Sequence, residues 1–159
     1  DEKTGKVIHA YAAAVTIVEV EVDTETGDIE ILRLASAFDV GKALNRQQVV
    51  TQIIGGAVQG IGSALFEEYQ FDDQGHFKNS SFTDYKIPTA RDIPRKMSQH
   101  IIETPQLDGP YGARGVAEHP MISVPGALGN ALRDALGIDF YELPLSCERV
   151  HAGIKKRGG

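Results

Sequence analysis

The chain has 159 residues, of which 42% are apolar and 24% are charged, and its formal net charge is −6. This length and composition are typical of one soluble globular domain, and an acidic balance without a basic patch excludes a nucleic-acid-binding protein. No apolar run reaches 18 residues and no charged-then-apolar leader opens the sequence, so we expect neither a membrane span nor export, but a cytoplasmic protein.

Cysteine and histidine usage limits the metal chemistry of the chain. Cys147 is the single cysteine, so no internal disulfide can form. The cysteine and histidines show none of the spacings typical of zinc or iron–sulfur sites. We therefore expect no metal ligands among the chain's own side chains, and any metal has to arrive with a bound cofactor.

Three stretches are predicted to form strands. In residues 8–22, valines alternate with acidic residues towards the end, which is the period of a strand with one wet face. Turn-forming residues at 23–28 separate it from a second strand over residues 29–38, so the two pair most simply as an antiparallel hairpin. A third strand is predicted over residues 99–104.

A long helix is predicted over residues 46–69, with Asn45 as its N-cap. Its glycines at positions 55, 56, 60 and 62 each cost about 1 kcal/mol relative to alanine in a helix interior. They indicate either close packing of another backbone against the helix or contact with a ligand. A dinucleotide-binding motif is excluded, because these glycines lie inside a helical pattern and not between a strand and a helix start.

A glycine-rich segment places one carboxylate, Glu118, directly before a second predicted helix over residues 121–136. Pro120 suits the first helical turn, Gly137 closes the helix, and Pro125 is expected to kink it or to mark its start. A carboxylate at this position faces the unpaired N–H groups of a helix start. The residues alone leave two roles open for Glu118, as a helix-capping acid or as a proton acceptor.

These elements predict an α+β fold in which a small mixed or antiparallel sheet carries two main helices on one face. Residues 79–90 have no clean period and contain a proline, so they are expected to form an extended connection. A short terminal segment to residue 154 follows the second helix, and Ser146 is a candidate cap for it. Residues 1–159 are interpreted as a single domain.

Several motifs in this chain resemble the C-terminal part of the molybdenum-binding subunit of the xanthine dehydrogenase/aldehyde oxidase family. They are GARGVAEHP at 112–120, IDFYELPL at 138–145, DYKIPT at 84–89 and TQIIGG at 51–56. The family pattern reads close to GVGEPP, and its glutamate is the active-site base; the matching residue is Glu118. A family glutamine that hydrogen-bonds the pyranopterin cofactor matches Gln52. The resemblance extends over about residues 9 to 150.

The resemblance implies a molybdenum hydroxylase, which oxidises an aldehyde or an N-heteroaromatic, xanthine-like substrate with oxygen taken from water. The implied cofactor is molybdenum–molybdopterin, plain or in its cytosine dinucleotide form, with iron–sulfur centres and FAD only on partner subunits or domains. Glu118 is then the general base, and Gln52 and the loop residues Gly115, Val116 and Ala117 contact the cofactor. The protein supplies the orientation, because the electronic properties belong to the cofactor.

This sequence departs from the family pattern beside Glu118. Ala117 stands where the family has glycine, and His119 stands where it has the first of two prolines. The chain is also several times shorter than a family subunit, so we expect one domain of it, as a fragment or a split gene product. Such a domain would share the cofactor with the remainder of the subunit and would be inactive alone. The alternative hypothesis is a non-catalytic assembly domain of the same complex.

Overall fold

A computed structural model describes residue 5 and residues 11–158 of the chain. The described part is an α+β fold, as predicted. Residues 8–10 of the predicted first strand lie outside the described residues, and the strand itself begins at Ala14. The elements in chain order are β1 (Ala14–Val22), β2 (Ile29–Asp39), α1 (Arg46–Leu65), β3 (Lys96–Ile102), a 3-10 turn (Pro110–Gly112), α2 (His119–Leu136) and α3 (Cys147–Gly158).

The three described strands form one mixed sheet in the order β1-β2-β3. β1 and β2 pair antiparallel, which confirms the predicted hairpin, whereas β3 runs parallel to β2. A parallel pair needs a long crossover, and α1 together with residues 66–95 supplies it. β3 begins three residues before the predicted start and ends two residues before the predicted end. Its predicted last residues instead bind the end of β2 and the loop after it: the Thr104 N–H donates to the Asp39 carboxylate, and the Glu103 carboxylate accepts from the Ala43 N–H.

Helix α1 begins where the sequence predicted and ends four residues earlier. The Asn45 side chain accepts a hydrogen bond from the Gln48 N–H at 3.1 Å, which confirms the predicted N-cap. At the other end, the N–H groups of Phe66 and Glu67 both donate to the Gly62 carbonyl at 2.9 Å. This shared acceptor closes the helix although the apolar pattern continues to Phe66.

The glycines of α1 are explained mainly by packing against α2. A Cβ on Gly56 would lie 2.8 Å from the Pro120 side chain, and a Cβ on Gly60 would lie 2.8 Å from the Met121 carbonyl oxygen. Gly62 is similarly crowded, with Pro88 at 2.8 Å. Close packing of another backbone is therefore confirmed at Gly60, whereas Gly56 and Gly62 are crowded by side chains. Gly55 differs, because a Cβ there would meet nothing within 4 Å.

Helix α2 runs without interruption through Pro125, so the idea that this proline marks the helix start is wrong. Proline lacks an N–H, which leaves the Met121 carbonyl without its helical donor, and that carbonyl faces Gly60. Gly137 ends the helix with φ 63°, as predicted. The terminal segment is a full third helix, α3, and the Ser146 hydroxyl accepts from the Arg149 N–H at 3.3 Å.

The core lies between the two main helices and one face of the sheet, and it has two apolar clusters. The larger one joins Leu34 of β2 to Ile61 of α1 and Leu128 of α2. The smaller one contains Phe38, Val40 and Ile53, and it lies at the end of the sheet where β2 and β3 finish. The candidate functional residues surround this smaller cluster.

Candidate functional site

Glu118 occupies the residue directly before α2, but its side chain does not cap the helix. Its backbone has φ −94° and ψ −13°, which is a helical conformation and not the extended one from which a side chain reaches back to the N–H groups. The carboxylate is exposed and has no hydrogen-bond or ionic partner among the described residues. The capping alternative for Glu118 is therefore unsupported, and the carboxylate is available to a ligand.

The loop that carries Glu118 is held in place by backbone pairing with the residues after β2. Gly41 and Ala113 form an antiparallel bridge. The Lys42 N–H donates to the Gly112 carbonyl at 2.8 Å, and the Arg114 N–H donates to the Val40 carbonyl at 2.9 Å. Gly112 has φ 78°, a left-handed conformation that glycine adopts without strain. The loop thus extends the sheet by a short piece of ladder.

An ion pair between the half-buried Arg114 and the buried Asp39 also fixes this loop. The Arg114 guanidinium lies 3.5 Å from the Asp39 carboxylate, with side-chain exposures of only 15% and 11%, and it also donates to the Tyr11 carbonyl at 2.7 Å. Asp39 accepts further hydrogen bonds from the N–H groups of Gly41 and Thr104, each at 3.1 Å. Burial opposes ionisation of Asp39, but the hydrogen bonds from Thr104 and Gly41 and the charge of Arg114 outweigh it and lower its pKa.

Sequence reasoning missed both members of this pair. A signal was present, because Asp39 is a carboxylate at the end of an otherwise apolar strand and Arg114 is a cation inside a glycine-rich loop. Buried charges of opposite sign are usually paired. The two residues are 75 positions apart in sequence, which hides the contact until the fold is known.

Gln52 connects α1 to the loop that precedes Glu118. Its side-chain N–H donates to the Ala117 carbonyl at 3.2 Å. Any residue supplies that carbonyl, so the alanine in place of the family's glycine leaves this contact intact. Val116 is half-buried against the smaller core cluster, whereas Gly115 and Ala117 are exposed. The structure therefore brings all the predicted site residues into one region.

The backbone of this loop offers unused hydrogen-bond donors. The N–H groups of Gly115, Val116 and Ala117 have no acceptor among the described residues. A Cβ on Gly115 would meet nothing within 4 Å, so this side of the loop is open. Successive free N–H groups next to a fixed amide are suited to a ligand that carries several hydrogen-bond acceptors.

His119, which departs from the family pattern, points into the protein. Its ring lies against Phe38, with ring centroids 5.4 Å apart and an interplanar angle of 59°. Burial lowers the pKa of the imidazole, which favours its neutral form. Its Nε2 atom is buried without a hydrogen-bond partner in the described structure. Through this packing His119 holds the first turn of α2, and with it Glu118, against the smaller cluster.

A cleft of about 300 Å³ lies beside the loop and is lined by Gln52, Arg114 and Val116 among others. Its remaining lining residues are Val40, Lys42, Leu44, Asn45, Gln48, Val49 and Ala113. A larger groove of about 900 Å³ lies between residues 137–142 and α3, and it contains none of the predicted site residues. Within the described ranges, no group of His, Cys, Asp and Glu could hold a metal ion, and no helix has the length and apolarity to cross a membrane.

The first 94 residues of this chain match the family model of the molybdopterin cofactor-binding domain. The chain belongs to this family. The matched part of this cofactor-binding domain includes Gln52, while the loop that carries Glu118 follows it. The resemblance noted in the sequence is thereby confirmed.

Relatives of this chain are named as hydroxylase and aldehyde oxidoreductase proteins, one of them as a molybdenum-binding subunit. The nicotine 6-hydroxylase large subunit of Paenarthrobacter nicotinovorans is 41% identical, over 86% of this chain and 17% of the relative. The aldehyde oxidoreductase molybdenum-binding subunit PaoC of Escherichia coli is 32% identical, over 84% and 18%. The crystal structure of the aldehyde oxidoreductase from Desulfovibrio desulfuricans superposes with a TM-score of 0.84 and 34% identity, covering 92% of this chain and 16% of that one. The chain thus spans less than a fifth of the length of these relatives.

Proposed function

We propose that this domain is part of the molybdenum-binding subunit of a molybdenum hydroxylase, in which Glu118 is the general base. The observation that carries the proposal is the exposed, unpartnered Glu118 carboxylate at the end of a loop that the sheet and Gln52 hold fixed. The proposed substrates are aldehydes or N-heteroaromatic rings, with the inserted oxygen derived from water. The names of the nicotine 6-hydroxylase and aldehyde oxidoreductase relatives support these two classes.

The residues around the loop fit a molybdopterin. A pterin is a flat heterocycle with several hydrogen-bond donors and acceptors on its edges, and the free N–H groups of Gly115, Val116 and Ala117 offer matching donors. Gln52 has one amide hydrogen bonded to the loop, and its oxygen has no partner among the described residues. When bound, the cofactor supplies the molybdenum and the redox chemistry. Its plain and cytosine dinucleotide forms would both suit these contacts.

Glu118 would accept a proton on its carboxylate from the water-derived oxygen during substrate oxidation. General-base assistance of this kind is typically worth ~10²–10⁴ in rate. The chain supplies the orientation: the Asp39–Arg114 pair and the Gln52 hydrogen bond fix the loop, and His119 packs the helix start that follows. Holding the base within reach of the reacting atom is itself a large part of catalysis.

The domain alone would bind the cofactor weakly and would be inactive. Single hydrogen bonds contribute about 0.5–1.5 kcal/mol each, and the few that this loop and Gln52 offer do not offset the cost of association. We therefore propose that the remainder of the subunit supplies the other cofactor contacts. Partner subunits or domains with iron–sulfur centres and FAD would carry the electrons away.

The substitution Glu118→Gln in the complete subunit tests this function. We expect turnover to fall by at least ~10², with unchanged molybdenum content and melting temperature, because the amide keeps the shape but cannot take up the proton. Glu21→Gln is a matched control, since Glu21 is an exposed glutamate on β1. Near-normal turnover of the Glu118→Gln enzyme would contradict the proposal and would favour the assembly-domain alternative.

A further inference from the structure

The sheet has one covered and one uncovered face. Alternate residues of β2, namely Leu34, Ser36 and Phe38, are buried under the two main helices. Residues in between point to the other side, which no described helix covers. On that outer face Val15 and Ile17 of β1 are 55% and 66% exposed.

The strand register divides the outer face into two halves. At one end, Val15 pairs with Ala37 and Ile17 pairs with Ala35. On β3 the same end carries the exposed polar residues Ser98 and His100 beside these alanines, and the exposed Ile102 at its last position. We call the apolar members, Val15, Ile17, Ala35, Ala37 and Ile102, the apolar half-face. At the other end the same face carries mainly charged residues, which are Glu19, Glu21, Glu30, Arg33 and Lys96.

The charged half needs no cover, because its side chains are hydrated and two of its glutamates form ion pairs. Glu19 forms an ion pair with Arg33, and Glu30 pairs with Arg95 at 2.6 Å. The apolar half-face has no such arrangement. It places two β-branched side chains beside two alanines of the central strand, so another apolar layer could approach the backbone closely there. Exposed apolar surface of this kind is typical of interaction sites.

We propose that the apolar half-face is the surface on which the remainder of the same molybdenum-binding subunit packs, through bulky apolar side chains that fill the space above Ala35 and Ala37. The length of the relatives supports this occupant, since this chain spans only 16% to 18% of them. This inference rests on the proposed membership of a larger subunit and not on the role of Glu118.

The position of the half-face links it to the candidate site. Ala37 and Ile102 lie at the end of the sheet that leads into Asp39 and Thr104, and these two residues are hydrogen-bonded to each other beside the loop before α2. A layer docked on the apolar half-face would therefore border the cofactor region. It would be placed to supply cofactor contacts that this chain lacks.

Cysteine labelling in the complete native subunit tests the proposal. Ile17→Cys and Glu21→Cys lie on the same face of the same strand, one in each half, and both are made with Cys147→Ser because Cys147 is exposed. Peptide mass spectrometry reads maleimide labelling at each position separately. We expect the thiol at position 17 to react at least ~10-fold more slowly than the thiol at position 21, and both to react equally in denaturant.

Two outcomes would overturn the proposal. The first is equally fast labelling at both positions in the native subunit. The second is protection of position 17 at protein concentrations above the dimer dissociation constant but not below it. The occupant would then be a second copy of the chain. Val15→Cys, on the same half-face, replaces Ile17→Cys if that variant does not fold. Labelling does not depend on turnover, so failure here is distinguishable from failure of the Glu118→Gln test.

Discussion

Glycines concentrate in two regions of this domain, helix α1 and the loop before α2, and they serve the two regions differently. In α1, Gly56 and Gly60 are required because a Cβ would collide with α2. In the loop, the left-handed backbone conformation at position 112 favours glycine, and backbone hydrogen bonds, more than side-chain packing, keep the loop fixed. The close-packed crossing of α1 and α2 thus fixes the framework, while the hydrogen-bonded loop keeps one side free for a ligand.

Each region also contains one glycine that the domain itself does not require. Gly55 and Gly115 have ordinary backbone conformations, and a Cβ on either would meet nothing within 4 Å. Gly55 lies one turn from Gln52, and Gly115 lies three residues before Glu118. Both are thus near the candidate site. Substitutions in the two regions can separate packing, loop anchoring and ligand contact.

The largest effect is expected from Asp39→Ala, which removes the anchor of the loop. The variant would leave the half-buried Arg114 charge without its carboxylate and two N–H groups without an acceptor. Loss of one partner of a fully buried pair typically costs about 3–5 kcal/mol of the free energy of unfolding, and the half-buried Arg114 places this variant towards the lower end of that range. Denaturant unfolding of the complete subunit measures it. Glu19→Ala, which breaks the exposed pair with Arg33, is the control and should have a much smaller effect.

Acid dependence provides a second measurement on the same residue. The pKa of Asp39 in the folded protein lies below its usual 3.8, so its stabilising effect is complete above that value and is lost as the pH falls towards the folded pKa. The Asp39→Asn variant lacks this contribution. Its stability should therefore fall less steeply than that of the natural protein below about pH 4. Parallel acid dependence of the two proteins would contradict the anchoring role.

Two alanine substitutions on α1 are expected to change the stability by intermediate amounts and in opposite directions. Gly60→Ala would force a methyl group against Met121 and Val124, and overpacking of this kind costs about 1–3 kcal/mol. Gly55→Ala meets no obstacle and should raise stability by up to about 1 kcal/mol, the gain in helix propensity. Melting temperatures of the two variants measure the contrast. Equal shifts would show that packing is not what distinguishes these glycines.

The smallest effect on stability is expected for Gly115→Ala, within about 0.5 kcal/mol, because the position is open and its backbone is ordinary. If the loop N–H groups bind the cofactor, the added methyl group should nevertheless reduce pterin content. Pterin content and melting temperature are measured on the same preparation. An unchanged pterin content would remove Gly115 from the cofactor site while leaving the roles of Gln52 and Glu118 to be tested separately.

Local signals in the sequence determined much of this domain. The alternation of valines with acids and the turn at 23–28 predicted the hairpin, and Asn45 and Gly137 marked two helix ends correctly. These features depend on interactions between a few neighbouring residues, so they can be read from the local sequence. The order of motifs also predicted the family, which the comparison with the molybdopterin cofactor-binding domain confirms.

Features that depend on residues far apart in the chain are visible only in the tertiary structure. The parallel register of β3, the Asp39–Arg114 pair and the outer apolar half-face all arise from strands and loops that meet after folding. The backbone of Glu118 is helical and its carbonyl accepts from the Met121 N–H, and this conformation removes the capping role that its sequence position allowed. Periodicity cannot reveal such contacts, since their energies come from burial and hydrogen bonds between segments with no common local pattern.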